Sequence, residues 1–263
     1  YLVRPADPTQ RWKPVRLHHE PTVHRMKWVL ARPGKFHLVV IPLHGRGNKN
    51  GEGAGVKIIA YEINPGQPAA PGLQVIDESM HLTHNFDLSP RAEGEWIVVG
   101  GKEGTKTFAF NGSAWTEIGA SARIRDQGYG EVRVAKLGRE NAIAGIQPMH
   151  GHELTVSDAY GRTVLTSNLK QGHALAAADL LGLGQDQLVA GWREPDNENK
   201  VGIKIFIPSQ QGTVRSWKEH WIDDNTMACE DLVIHDLNGD GKKDIIAAGR
   251  ATHNLKVYWN KSY

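Results

Sequence analysis

The chain has 263 residues, and its 31 Lys and Arg nearly balance its 29 Asp and Glu, which leaves a formal net charge of +2 at pH 7. A charge this small and scattered argues against nucleic acid or an anionic membrane as a partner, and no apolar run approaches the length of a membrane span. The 29 Gly and 13 Pro suit many short strands joined by turns, and a chain of this length can bury its core as one domain over residues 1–263.

The chain opens with a short strand-like run, Trp12–His19, and five longer units follow it. In each unit a β-prone run leads through a turn to a second and then a third run, as in the blade of a propeller. The units lie about 40 to 60 residues apart, and they align on the residues His24, His84, Glu131, His173 and Glu230. The sequence therefore predicts an all-β, five-bladed β-propeller, with a piece cut from a longer propeller as the alternative.

Each blade also needs a fourth, outer strand. The candidates in the first four units are residues 73–78, 115–119, 162–168 and 217–224. The last unit reaches only its third strand, at Leu255–Trp259. We expect the N-terminal run Trp12–His19, which reads like residues 217–224, to complete the last blade and close the ring. Closure would remove exposed sheet edges, which otherwise invite aggregation.

The turn in the fifth unit predicts a calcium site. A DxNxDGxxD loop between two β-prone runs places oxygen donors on alternate residues of a tight turn, the arrangement that suits Ca²⁺. The expected ligands are Asp236, Asn238, Asp240, Asp244 and the backbone carbonyl of Lys242. A β-turn rich in Asp, Asn and Gly that holds no ion is the alternative.

The fourth unit repeats the same phrase in a degenerate form. His173–Arg193 aligns with Glu230–Arg250 without a gap, and Asp179 matches Asp236. The other three side-chain ligands are replaced, by Leu181, Leu183 and Gln187. We therefore expect the same turn in the fourth unit without an ion.

The residues that align the five units predict a transition-metal site. First strands of propeller blades run along the central channel, so their starting residues gather at one mouth of it. That set is His24, His84, Glu131, His173 and Glu230, with His81 as the alternative to His84 if the register slips. Imidazole and carboxylate ligands suit Zn²⁺ or Mn²⁺, and the alternative for each residue is a surface or hydrogen-bonded role.

A second set of polar residues follows the second strands, whose ends return to the same face. Arg46, Arg193 and Arg250 would anchor ligand oxygens, and the alternative for Arg193 and Arg250 is a structural ion pair with an acid of a neighbouring blade. His150, His152 and His253 would supply the proton-transfer groups. The lone Cys229 excludes an internal disulfide, and we expect it to be a buried structural thiol.

The His-containing phrases carry a family resemblance. PLHGRG, HLTHNF, QPMHGH, QGHALAAADL, GWRE and DLNGDGKKDIIAAGRATHN together resemble the propeller domain of the aldos-2-ulose dehydratase family and its FG-GAP (VCBS) relatives. The resemblance implies a keto-sugar lyase with a metal in the propeller. This chain departs from the family in having five units and no cupin domains. A chain that opens with Tyr1 instead of Met fits a processed or trimmed protein, and we expect a secreted or periplasmic one.

Two functions of different classes follow from these patterns. The first is a metal-dependent lyase or dehydratase acting on a keto-sugar of the aldos-2-ulose or anhydrofructose type, in which a metal polarises the carbonyl while His or Glu moves protons. The second is a non-catalytic carbohydrate-binding or scaffold propeller with structural calcium. A small carbohydrate is the expected partner in the first case and one candidate partner in the second.

Overall fold

The computed structural model describes residues 1–63, 71–119, 127–211 and 214–261. These residues form β-strands and no α-helix, and so contain no helical segment that could cross a membrane. The strands, in chain order, are β1 Leu2–Val3 and β2 Lys13–Pro14; β3 Val23–Arg32, β4 Lys35–Pro42, β5 Ile58–Glu62 and β6 Gly72–Asp77 in blade 1; β7 Thr83–Arg91, β8 Gly94–Gly101, β9 Gly104–Phe110 and β10 Trp115–Glu117 in blade 2; β11 Glu131–Leu137, β12 Glu140–Gln147, β13 Glu153–Asp158 and β14 Gly161–Thr166 in blade 3; β15 Gly172–Ala178, β16 Gln187–Trp192, β17 Gly202–Gln211 and β18 Val214–Asp224 in blade 4; and β19 Cys229–His235, β20 Asp244–Gly249 and β21 Asn254–Tyr258 in blade 5.

The blades confirm the predicted all-β, five-bladed β-propeller. Each is an antiparallel sheet whose strands follow one another in chain order, with four strands in blades 1 to 4 and three in the described part of blade 5. The four predicted outer strands correspond to β6, β10, β14 and β18. They were recognisable because each is a β-prone run bounded by turn residues.

The predicted ring closure by Trp12–His19 is not observed among the described strands. Strand β2 pairs with β1, so that Leu2 lies opposite Pro14, and the amino group of Tyr1 donates to the carbonyl of Val15 at 2.9 Å. Strand β21 pairs with β20 and with no other described strand. The correction has a physical reason, because Pro14 has no N–H to donate to a sheet and the nearby Tyr1–Val3 offers a partner across a short loop.

Contacts divide the chain into two compact units. The first comprises Tyr1–His84, Ser89–Ile97 and Thr107–Gly119, and the second comprises Asn85–Leu88, Val98–Lys106 and Ala120–Tyr263. The second unit therefore contains blades 3, 4 and 5. A single domain over the whole chain stays a prediction.

Small side chains let the first strands of blades 3, 4 and 5 lie side by side in the second unit. Strand β15 packs between β11 and β19, and its Ala174 and Ala176 are buried there. Gly191 of β16 lies so close to Cys229 that an added Cβ would sit 2.6 Å from the Cys229 Cβ. This packing brings the starting residues of the three first strands to one end of the second unit.

The predicted structural role of Cys229 agrees with its surroundings. The thiol is free and buried, and it packs in the apolar core shared by blades 4 and 5. Burial raises the pKa of the Cys229 thiol, and the negative charges of Asp231, Asp223 and Glu230 raise it further. A thiol held in its neutral form is unreactive.

Candidate functional site

Three of the predicted metal-binding residues begin the first strands of the second unit. Glu131 is the first residue of β11, while His173 and Glu230 are the second residues of β15 and β19. Glu131 is buried, accepts a hydrogen bond from the Asn85 amide at 2.6 Å and pairs with Arg133 at 3.2 Å. Because Glu131 is buried and has these partners, its surroundings fit a structural role. Glu230 is the more accessible of the two carboxylates.

Glu230 is the centre of a polar cluster. Nη1 of Arg193 lies 3.3 Å from each carboxylate oxygen of Glu230, and Nη2 of Arg193 donates to the Gln171 side chain at 2.6 Å. Nη1 of Arg250 lies 3.9 Å from the same carboxylate, and the Arg250 side chain is 71% exposed. The cluster therefore has one guanidinium fixed inside the protein and a second that faces solvent.

His173 extends this cluster on its buried side. Its Nδ1 lies 2.6 Å from the backbone carbonyl oxygen of Glu230. A carbonyl only accepts, so Nδ1 carries the proton and, in the neutral ring, Nε2 keeps its lone pair. That Nε2 lies 3.8 Å from the Glu230 carboxylate.

His150 packs against His173. The two ring centroids are 4.8 Å apart, and a nitrogen of one ring lies within 4.8 Å of a nitrogen of the other. His150 adopts a positive φ of 50° in the loop between β12 and β13, a conformation that costs energy in a residue with a Cβ. The structure thus brings His150, His173, Glu230, Arg193 and Arg250 together, from both of the predicted sets.

Two other predicted proton-transfer residues lie outside these contacts. His152 is exposed in the β12–β13 loop, and its backbone carbonyl accepts a hydrogen bond from Leu169 at 3.0 Å. His253 is exposed in the turn between β20 and β21, with a φ of 50°. Among the described residues, no hydrogen bond, ion pair or ring contact joins either side chain to Glu230.

The first unit holds His24, His84 and Arg46, the other members of the two predicted sets. The rings of His24 and His84 are 4.6 Å apart, and His84 is buried. Arg46 donates to the carbonyl of His19 at 3.0 Å and lies 3.7 Å from the carboxylate of Glu20. Glu20 was missed in the sequence, where its only signal was an acidic residue just before the first unit. Its carboxylate gives Arg46 an ion-pair partner that the sequence did not indicate.

The predicted calcium loop is shaped by its own backbone donors. Asp236 accepts hydrogen bonds from the N–H groups of Gly239, Asp240 and Gly241 at 2.8 to 3.1 Å. Asp244 is buried and accepts from the N–H of Leu237 at 3.1 Å. Donors of the loop itself, the Lys242 N–H and then the Asn238 amide, lower the pKa of Asp240.

The degenerate loop of the fourth unit uses the same bonds with neutral substitutes. Asp179 accepts from the N–H groups of Leu183 and Gly184 at 2.9 and 2.8 Å. The Gln187 amide oxygen accepts from the N–H of Leu180 at 2.7 Å, as Asp244 accepts from the N–H of the equivalent Leu237. The two loops share these backbone hydrogen bonds, and calcium binding by the fifth-unit loop stays a prediction, as does a fourth-unit loop without an ion.

The sheets and this cluster define the chain as a five-bladed β-propeller with a half-buried, mixed-charge polar site in its second unit. No protein-family model matches the sequence, and the search of curated proteins found no relative. Among solved structures, the fold is similar to that of a lectin from Agrocybe aegerita, described as recognising non-reducing terminal N-acetylglucosamine, with a TM-score of 0.55 and 17% identity. The match covers 92% of this chain and 64% of the lectin chain. At this identity the likeness shows the fold alone.

Proposed function

We propose that this propeller binds a carbohydrate at the Glu230 cluster. The observation that carries the proposal is the Glu230 carboxylate, 30% exposed and set between the fixed Arg193 and the solvent-facing Arg250. A polyhydroxylated ligand donates hydrogen bonds to a carboxylate and accepts them from guanidinium groups. The similarity of the fold to a lectin supports the same reading.

The charges of the cluster favour a neutral or weakly anionic sugar. Two guanidinium groups face one carboxylate, so the cluster carries a small positive excess when His150 and His173 are neutral. Arg193 is already oriented by Gln171 and Glu230, so little side-chain entropy is lost when a ligand replaces water. Arg250 supplies the accessible donor.

Keto-sugar dehydration is the second candidate, and the tautomer of His173 is the observation that favours it. The hydrogen bond from Nδ1 to the Glu230 carbonyl leaves Nε2 able to accept a proton or to bind a metal. Nitrogens of the His150 and His173 rings lie within 4.8 Å of each other, and imidazole is a ligand that Zn²⁺ or Mn²⁺ accepts. A metal bound there would polarise a substrate carbonyl. Arg193 competes for the Glu230 carboxylate, which makes that carboxylate a weaker ligand.

The test of carbohydrate binding compares two exposed arginines. Arg250→Ala removes the accessible donor without disturbing the core. Arg139→Ala, in the exposed turn between β11 and β12, is the matched control. Isothermal titration with a panel of neutral and acidic monosaccharides should show binding to the wild type that falls about tenfold in Arg250→Ala, a loss of about 1.4 kcal/mol. Equal affinities in the two variants would contradict the assignment.

The test of the enzyme candidate measures metal content and turnover of 1,5-anhydrofructose and glucosone. His173→Ala should lose both, while His220→Ala, on the exposed outer strand β18, should keep both. If the chelated protein turned over substrate as fast as the untreated protein, or if the two variants held equal metal, the lyase function would be excluded and carbohydrate binding would remain.

A further inference from the structure

A polar cavity lies in the second unit and shares no lining residue with the Glu230 cluster. Its volume is about 140 Å³. It lies between blades 3 and 4, and its main lining residues are Asp158, Tyr160, Arg162, Thr163, Arg215 and Trp217. The first four come from the end of β13, the turn after it and the start of β14, and the last two come from the outer strand β18.

Arg215 gives this cavity an unused donor. Its side chain is only 12% exposed and its Nη1 donates to the Asp158 carboxylate. Its Nε is buried and has no hydrogen-bond partner among the described residues. A buried donor without an acceptor costs about 1–3 kcal/mol. An acceptor that reached Nε when a ligand fills the cavity would recover that free energy.

The charges around the cavity are balanced. The other oxygen of Asp158 accepts from the Tyr160 N–H at 2.9 Å, which holds the carboxylate in place beside Arg215. Arg162 donates to the Gln147 side chain at 3.0 Å and pairs with Glu153. Each guanidinium therefore has its own carboxylate, and the cavity has no net charge that would select an anion.

An aromatic surface completes the cavity. The Tyr160 side chain is a large aromatic group left 66% exposed, and Trp217 packs against the buried core beneath the cavity. Flat aromatic faces suit the apolar C–H face of a sugar ring, while guanidinium and carboxylate groups suit its hydroxyls. The volume has room for about one ring and is below that of a site for a drug-sized ligand.

We propose that this cavity binds one neutral monosaccharide unit, with a sugar oxygen accepting from Arg215 Nε and a ring face on Tyr160. The site shares no residue with the Glu230 cluster and stands independently of the function proposed for that cluster. Together, the two sites would make the protein bivalent for carbohydrate.

The test uses the Arg215 Nε–H as its own reporter. Its signal in a ¹H–¹⁵N correlation spectrum is assigned by its loss in Arg215→Lys, which keeps a positive charge for Asp158. Methyl glycosides of glucose, galactose, mannose and N-acetylglucosamine are then titrated separately into the millimolar range, followed by inorganic phosphate. At least one glycoside should shift this signal and the Gly161 amide saturably. Tyr160→Ala should weaken that binding about tenfold.

Arg250→Ala is the control that separates the two sites. It should leave the Arg215 response unchanged although it weakens binding at the Glu230 cluster about tenfold. Tyr160→Ala should weaken the Arg215 response and leave binding at the Glu230 cluster unchanged. The proposal is overturned if no glycoside shifts the Arg215 signal. It is also overturned if phosphate alone shifts the signal, or if Tyr160→Ala binds as tightly as the wild type.

Discussion

Replacing Asp223 with Ala should destabilise the second unit far more than replacing its neighbour Asp224. Asp223 is 6% exposed and lies at the end of β18. Its carboxylate accepts hydrogen bonds from Lys256 at 2.8 Å and Tyr258 at 2.7 Å, both on β21, and from the N–H of Thr226 at 2.9 Å. Asp223 therefore connects the outer strand of blade 4 to the last described strand of blade 5.

The expected loss of stability follows from the unpaired Lys256 ammonium group that Asp223→Ala leaves in the protein. Removing one partner of a buried ion pair costs about 3–5 kcal/mol. Because the Lys256 side chain is partly exposed and can reach water, we expect the lower end of that range, about 3 kcal/mol. For a protein of this size each kcal/mol lowers the melting temperature by about 2–4 °C, so the expected drop is about 6–12 °C.

The effect should depend on pH in a defined direction. Burial alone would raise the pKa of Asp223, but the hydrogen bonds from Lys256, Tyr258 and Thr226 outweigh it and lower the pKa. A lowered folded pKa means that the ionised carboxylate contributes stability above its unfolded pKa of about 3.9. That contribution is lost as the pH falls through the folded value. The melting temperatures of the wild type and of Asp223→Asn should therefore move closer together below about pH 4.

Thermal unfolding followed by circular dichroism measures this difference. Asp224→Ala is the control, since Asp224 is half exposed and pairs with Lys200 at 2.9 Å on the surface. An exposed pair contributes about 0–1 kcal/mol. Similar melting temperatures for the Asp223 and Asp224 variants would refute the reasoning, as would a difference that does not change with pH.

Three further predictions concern the fifth blade. Chelation should lower the melting temperature of the wild type and leave Asp240→Ala unaffected, because an ion that binds only the folded state stabilises it; equal sensitivity would exclude calcium in this loop. Iodoacetamide should modify Cys229 only after denaturation, as followed by intact mass, and labelling of the native protein would contradict its burial. Gly191→Ala should cost about 1–3 kcal/mol through crowding against Cys229, and the same substitution should cost much less in a Cys229→Gly background, which lacks both the Cβ at 2.6 Å and the sulfur at 2.8 Å; an equal cost in the two backgrounds in chemical denaturation would show that the clash lies elsewhere.

Much of the fold was predictable because the signals that define it are local. Strand-forming runs separated by Gly and Asp turns indicated five blades and the four outer strands. The two Asp-Gly loops were matched from sequence, and their backbone hydrogen bonds now explain why Asp179 and Asp236 are both retained. Gln187 shows the limit of that reasoning, since its amide does the structural work of Asp244 without the charge.

The partners of the polar residues were decided by tertiary structure. The sequence placed Glu131 and Glu230 in equivalent positions, but Asn85 and Arg133 surround the first while two arginines hold the second partly open to solvent. Which side chain meets which depends on neighbouring blades that are far apart in the chain. The residue preferences of one strand do not tell which strand of another blade will pack beside it.

The pairing of the N-terminal segment and the polar cavity between blades 3 and 4 also depend on tertiary contacts. Trp12–His19 has the composition of an outer strand, yet its Lys13–Pro14 segment pairs with Leu2–Val3, because a local partner was available and Pro14 limits its hydrogen bonding. Arg215 and Asp158 gave no signal in the sequence, since their ion pair joins strands of different blades. The sequence by itself determined the strands and turns, through periodicity and turn chemistry, and only the packing of blades determined which charges share a site.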